Sequence, residues 1–246
     1  MKKHIKKIVV LLTISLIVFC GIFAVLLYNG VVLLNNPSDR AFPVKGVDVS
    51  SYQGEIDWNL LASQNILFAF MKATEGSSFT DPKFAYNYEQ AQKTNLRVGA
   101  YHFFSYDSSG KNQAAHFIAT VAKTENMLPP VIDVEFYGDK EKYPPDKADV
   151  QKELNDMIET VKDHYGCYPI LYAVKKSYDL YLADAFPHCD IWIRDVIFKP
   201  SLSDGRAWTF WQYTNRERLA GYVGKEKFID MNVFYGSVSD FDHYAK

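Results

Sequence analysis

The sequence predicts an α/β protein, a parallel barrel of five βα units followed by three closely spaced strands, with one membrane-spanning helix ahead of it. Three observations carry this expectation. Beyond Val44, short runs rich in Val, Ile, Phe and Tyr alternate with stretches of helical pattern. The last third of the chain keeps the strand-like runs and loses the helical ones. Near the N-terminus, an uncharged stretch is long enough to cross a bilayer. A length of 246 residues suits one large domain behind such a segment.

Lys2, Lys3, Lys6 and Lys7 precede a stretch without charge that runs from Ile8 to Ser38. As a helix, Ile8–Tyr28 spans roughly 31 Å, the thickness of a hydrocarbon core. The basic flank belongs on the cytoplasmic side, which places everything after Asp39 outside. No small-x-small cleavage site follows Leu26 or Leu27, so the segment reads as an uncleaved anchor rather than a removed signal peptide. Bulky Phe19 before Cys20 argues against a lipoprotein. The expected organisation is a basic flank over 1–7, an anchor over 8–34, a polar linker over 35–43 and a folded domain over 44–246. The expected location is the cell membrane, single-pass, with the domain on the extracytoplasmic side.

Strands are expected at Gly46–Val49, Leu67–Lys72, Arg97–Phe104, Val131–Glu135, Ile170–Ala173, Ile191–Arg194, Thr209–Tyr213 and Asn232–Phe234. Between the first five lie helices. Asp57 is placed to cap one entered at Trp58, and Asp81-Pro82 reads as a cap followed by proline at the first helical position. Val150, Leu154, Met157, Ile158, Val161 and Tyr165 fall on one helical stripe, which Gly166 ends. Cys167 and Cys189 both lie in the exported domain, where they either pair or remain as two buried thiols.

In a parallel barrel, chemistry sits where strands end and βα loops begin. Pro129-Pro130-Val131-Ile132-Asp133-Val134-Glu135 is an apolar strand closing on two acids. Strand side chains alternate, so Asp133 and Glu135 face one way, with Cα atoms roughly 6.5–7 Å apart. Two carboxylates on one face raise each other's proton affinity, which glycoside hydrolysis exploits: one acid protonates the leaving oxygen while negative charge steadies the cationic transition state. A D-x-E pair alone also suits metal sites. Asp48 at the end of the first strand and Asp230 just before the last strengthen the hydrolytic reading, because first and last strands are neighbours in a closed barrel.

These residues resemble a known family. Gly46-Val47-Asp48-Val49-Ser50-Ser51-Tyr52-Gln53-Gly54 is similar to the opening motif of the glycoside hydrolase family 25 lysozymes. Lys72-Ala73-Thr74-Glu75-Gly76, Gly99-Ala100-Tyr101-His102-Phe103, Asp133-Val134-Glu135, Trp211-Gln212-Tyr213-Thr214 and Asp230-Met231-Asn232-Val233-Phe234 follow in the family's order. The resemblance covers Val44 to about Gly236. It implies a flattened TIM-like (β/α)5β3 barrel and cleavage of the β-1,4 bond between N-acetylmuramic acid and N-acetylglucosamine in peptidoglycan glycan strands. It also implies Glu135 as general acid/base, Asp133 as its partner, and Asp48 and Asp230 as supporting acids. The family's retaining route uses the substrate's 2-acetamido group as nucleophile. The residues themselves leave a direct Asp133 nucleophile or an inverting route open.

Tyr101, Tyr172, Trp211 and Gln212 resemble positions that line the family's sugar groove. Lys72 and Glu75 follow the second strand, as an ion pair or as substrate contacts. One departure is Arg194-Asp195 after Ile191-Trp192-Ile193, where the family more often has a small residue and then an aromatic. A surface ion pair between Arg194 and Asp195 is the plainer expectation, and a groove contact the sharper one.

Other classes find little support. The net charge of −2 gives no global basic field for nucleic acid. The histidines show no zinc-ligand spacing, and there is no G-x-S-x-G elbow or phosphate loop. No metal or organic cofactor is implied. The remaining alternative is a catalytically inactive peptidoglycan-binding scaffold of an envelope complex, which retention of all four acids disfavours. The anchor, binding the cytoplasmic membrane, would hold the enzyme near its substrate at high effective concentration.

Overall fold

The computed structural model describes residues 2–245. The first element is a single helix, α1 (Lys2–Tyr28), with a mean hydropathy of 3.0 over its most apolar window and no buried residue. It is apolar and long enough to be a membrane span or a signal sequence. There follow β1 (Lys45–Val49), α2 (Trp58–Ala62), β2 (Phe68–Glu75), β3 (Phe79–Thr80), α3 (Phe84–Ala91), β4 (Arg97–Phe103), α4 (Gly110–Thr120), β5 (Val131–Val134) and α5 (Lys147–Tyr165). The chain ends with β6 (Ile170–Val174), α6 (Lys175–Ser177), β7 (Ile191–Arg194), β8 (Phe210–Glu217), β9 (Ile229–Phe234) and α7 (Val238–His243).

Eight strands close a barrel in the order β1-β2-β4-β5-β6-β7-β8-β9, with β9 returning to β1. The short β3 is a hairpin partner of β2 outside that circuit, and no sequence pattern marked it. Five βα units precede three strands without helices, as the sequence predicts. One departure is orientation: β9 runs antiparallel to both β8 and β1. The β8–β9 connection contains no crossover helix, and a strand returned by a hairpin must run backwards. Asp230, expected just ahead of the last strand, lies inside β9 directly opposite Asp48.

Alternation along each strand sorts side chains into two cores. Outward residues such as Val47, Met71, Ile132, Leu171, Ile193 and Met231 meet the helices. Within α5, all six residues of the expected stripe are buried, and Gly166 adopts φ 81° as its left-handed cap. Asp57 caps α2 by accepting from Leu60 N at 3.0 Å. Asp81 does not cap a helix as expected; α3 starts later, at Phe84, and the Asp81 carboxylate accepts from Lys83 N and Ser51 N.

Inward residues form an apolar plug at the lower end: Phe68, Phe70, Trp192, Phe210 and Phe234, sealed by Phe241 of α7. Room for Phe68 comes from Gly46, where an added Cβ would lie 2.3 Å from the ring. Gly46→Ala is therefore expected to lower stability by about 1–3 kcal/mol, the usual cost of overpacking, read as a lower urea midpoint with an unchanged far-UV spectrum.

The segment expected as a polar linker carries one residue packed on the barrel. Phe42 is buried against Trp208, Trp211 and Tyr235, so the barrel's packing reaches back before residue 44. Cys167 and Cys189 are free thiols, half-buried and buried. The disulfide alternative is not realised, and burial pushes the Cys189 thiol up to about 12, which leaves it an inert core group.

Candidate active site

Above the aromatic plug the inward residues turn polar. They line an open groove of about 790 Å³ at the end of the barrel where the parallel strands finish. β1 contributes Asp48, β2 Lys72 and Glu75, and β4 Tyr101 and Phe103. Asp133 and Tyr172 come from β5 and β6, with Glu135 one residue beyond the end of β5. Trp192 and Arg194 on β7, Gln212 on β8 and Asp230 on β9 complete the wall.

Gln212 is the hub of the floor. Its amide donates to Asp48 Oδ1 at 3.0 Å and to Asp230 Oδ2 at 2.9 Å. Its carbonyl accepts from the Tyr172 hydroxyl at 2.7 Å. Asn232 donates to the same Asp48 oxygen at 2.7 Å and accepts from Trp192 Nε1 at 2.8 Å. Gln212 and Asn232 are each oriented by a donor of their own, Tyr172 and Trp192, so they hold the two carboxylates from opposite ends of the chain in one network.

Burial pushes the Asp48 carboxyl up to about 6, against the lowering effect of its bonds from Asn232 and Gln212. Burial and then the Asp48 charge hold Asp230 well above the usual carboxylate range. Asp133 is also held well above it, by burial first and then by the charge of Glu135, with Lys72 opposing. Its Oδ1 is buried and has no partner among the described residues. Glu135 is raised by burial, while the Arg194 guanidinium pulls it down. The Asp133–Glu135 pair thus keeps a proton at pH values where an exposed carboxylate has lost its own.

The groove collects nine of the ten residues singled out from the sequence as catalytic or substrate-binding: Asp48, Lys72, Glu75, Tyr101, Asp133, Glu135, Tyr172, Gln212 and Asp230. Lys72 and Glu75 do form an ion pair, at 2.6 Å, and the ammonium also lies 4.9 Å from the Phe103 ring centre. A register shift after Lys72 turns Glu75 to the same side. Trp211 is the exception. It points out of the barrel, buried against Phe42, Trp208 and Tyr213, with Nε1 donating to the Asp195 carbonyl at 2.8 Å. Adjacent strand residues face opposite ways, so Gln212 inside requires Trp211 outside. The indole that does line the groove is Trp192.

Arg194 also departs from the plainer expectation. It lines the groove and makes no ion pair with Asp195, whose carboxylate instead accepts from Ile197 N and Phe198 N. Asn232 and Trp192 were missed as site residues, although alternation from Asp230 and Arg194 points both of them inward.

The family model described as Glycosyl hydrolases family 25 matches residues 47–222. The chain belongs to that family. This family 25 protein is similar to the solved family 25 glycosyl hydrolase from Bacillus anthracis, at 59% identity and a TM-score of 0.82, over 86% of this chain and 97% of that one. Lysozyme M1 of Streptomyces globisporus is 29% identical over 213 residues, 82% of this chain and 71% of its own. The Escherichia coli protein YegX is 32% identical over 210 residues, 83% of this chain and 74% of its own. The family 25 chain is accordingly a glycoside hydrolase with the closed, helix-flanked eight-stranded barrel of its relatives. The family match ends before β9, so Asp230 and Asn232 lie beyond it while completing the same floor.

Proposed function

We propose that this family 25 protein is a membrane-anchored lysozyme that cuts the β-1,4 bond between N-acetylmuramic acid and N-acetylglucosamine in peptidoglycan. The observation that carries the reading is the pairing of Asp133 with Glu135 above the hydrogen-bonded Asp48–Gln212–Asp230 floor of an open groove. An open groove suits a polymeric glycan, and half-buried Tyr101 and Phe103 offer faces or edges to sugar rings.

In this reading Glu135, the less enclosed acid of the pair, protonates the departing glycosidic oxygen and later takes a proton from water. Asp133 supplies negative charge to the ring that forms when the substrate's own acetamido oxygen attacks, so configuration is retained. Gln212, Asn232 and Tyr172 act as positioning residues that hold Asp48 and Asp230. Proton NMR of freshly cut glycan tests the stereochemistry, and an inverted anomer would remove the acetamido route.

Because Arg194 pulls the Glu135 proton affinity down, Arg194→Gln is expected to raise it. The acid then stays protonated to higher pH, and the alkaline limb of the kcat/KM profile moves upward. An unmoved limb would exclude Arg194 from tuning the acid.

The decisive assay is release of muropeptides from purified wall by the full chain held in detergent, with reducing ends identified by mass spectrometry. Muramic-acid ends support a muramidase. Wall binding without release would favour the inactive-scaffold alternative. The anchor over residues 8–34 has its own test: the chain should resist alkaline carbonate extraction from membranes and keep its N-terminal lysines, and a mature N-terminus beyond Gly30 would convert the anchor into a cleaved signal.

A further inference from the structure

The end of α1 does not hang free of the barrel. Arg216, in β8, donates to the Tyr28 carbonyl at 2.7 Å. Arg218 donates to the Asn29 carbonyl at 2.8 Å, and Lys227 to the Asn29 side chain at 3.2 Å. The two arginine bonds satisfy carbonyls that a helix end leaves open. The following turn packs equally closely: Gly30 has φ +65°, and an added Cβ would lie 2.4 Å from the Arg216 carbonyl oxygen and 2.8 Å from the Phe228 ring. The β8–β9 hairpin is therefore clasped to the point where the apolar helix ends.

That point has a defined depth if α1 spans a bilayer, the reading on which this inference rests. Ile8–Tyr28 covers about 31 Å as a helix, close to the roughly 30 Å of a hydrocarbon core, which puts Tyr28 at the outer boundary where tyrosines favour the headgroup level. A hairpin bonded to Tyr28 and Asn29 must share that level. The hairpin carries Arg216, Arg218, Lys225 and Lys227 against Glu217 and Glu226, and none of the four cations is in a salt bridge among the described residues. Arg218, Lys225 and Lys227 are exposed, and at the turn Val223 is 92% exposed.

We infer that the β8–β9 hairpin is a membrane-docking element whose Arg218, Lys225 and Lys227 take the phosphates of anionic phospholipids in the outer leaflet, with Val223 at the lipid boundary. Cations at an anionic membrane surface gain attraction that falls away within a Debye length, so a hairpin held at headgroup depth is where they act. The same hairpin supplies Asn215, Glu226 and Phe228 to the groove. Docking thus sets one rim of the groove at the bilayer surface and directs the enzyme to glycan nearest the membrane.

The test uses the full chain in nanodiscs, with Cys20, Cys167 and Cys189 replaced by Ala and one fluorophore placed at Val223→Cys or, as a reference, at exposed Glu125→Cys. A nitroxide on lipid headgroups quenches by proximity. In discs containing phosphatidylglycerol, quenching at position 223 should exceed that at 125 several-fold. The excess should fall in pure phosphatidylcholine and in the triple variant Arg218→Gln, Lys225→Gln, Lys227→Gln, whose glycan hydrolysis in detergent should match the parent. Equal quenching at both positions overturns the inference. So does an excess that ignores both lipid charge and the triple variant, or one that soluble glycerol-phosphate polymer abolishes at unchanged lipid composition, which would assign the cations to a wall polymer. Release of the chain by alkaline carbonate instead overturns the anchor itself, a separate result.

Discussion

Glu135→Gln is expected to reduce the release of muramic-acid reducing ends by about 10²–10⁴-fold, the range that a positioned general acid contributes. The amide keeps the shape and hydrogen-bonding reach of the acid and cannot give up a proton to the leaving oxygen. Wall binding and thermal stability should stay close to the parent, since Glu135 lies beyond the end of β5 and is only half-buried. The loss should fall on kcat rather than KM, because the missing interaction is made only as the bond breaks. Pelleting with purified wall separates the two effects. Full activity in the variant would remove Glu135 from the chemistry, and lost activity together with lost folding would leave the role to be read from Glu135→Asp, whose shorter acid should keep measurable turnover.

Asp133→Asn should cost about 10²–10³-fold in kcat, the size expected when a charge aimed at a developing cation is removed, and should change stability with a definite sign. Burial and the Glu135 charge hold the Asp133 carboxyl well above its ordinary 3.8 in the folded chain. The folded state therefore binds this proton more tightly than the unfolded state does. The stabilisation linked to it is complete below pH 3.8 and is lost as pH rises toward the folded value, at about 1.4 kcal/mol per pH unit. Asparagine has no proton to lose. The variant should gain thermal stability relative to the parent as pH is raised from 4 to 7, while becoming the poorer enzyme. Melting temperatures across that range decide it, and parallel pH profiles for the two proteins would show that the fold does not raise the proton affinity of Asp133.

How much of this was legible beforehand depended on whether the cause was local. The acids at Asp48 and Asp133 could be read because a strand's hydrophobic run and its terminal carboxylate lie in one stretch of sequence. Asp230 could be associated with them through barrel closure, though its place within β9 needed the antiparallel return that only the β8–β9 connection explains. The Trp211-Gln212 motif does not say which of its residues reaches the groove, because the pleat separates the two neighbours onto opposite faces. For Arg194 the sequence allows two roles, since whether it pairs with Asp195 depends on backbone donors at Ile197 and Phe198 that already occupy that carboxylate. The packing of Phe42 and the clasp at Tyr28 were beyond reach, because each joins segments far apart in sequence through contacts without periodicity.

The seam between β1 and β9 has a consequence for how the molecule is born. The partners that hold Asp48 come from Gln212 and Asn232, 164 and 184 residues later in the chain. With α1 as the anchor, translocation delivers β1 to the far side early and β9 near the end. Throughout that passage β1 has an open edge toward the missing strand, and Asp48 lacks both of its donors. Assembly of the acidic floor is thus postponed until nearly the whole chain has been exported. A wall-cutting enzyme built on such a long-range closure is latent during its own synthesis, and needs no removable pro-segment to make it so.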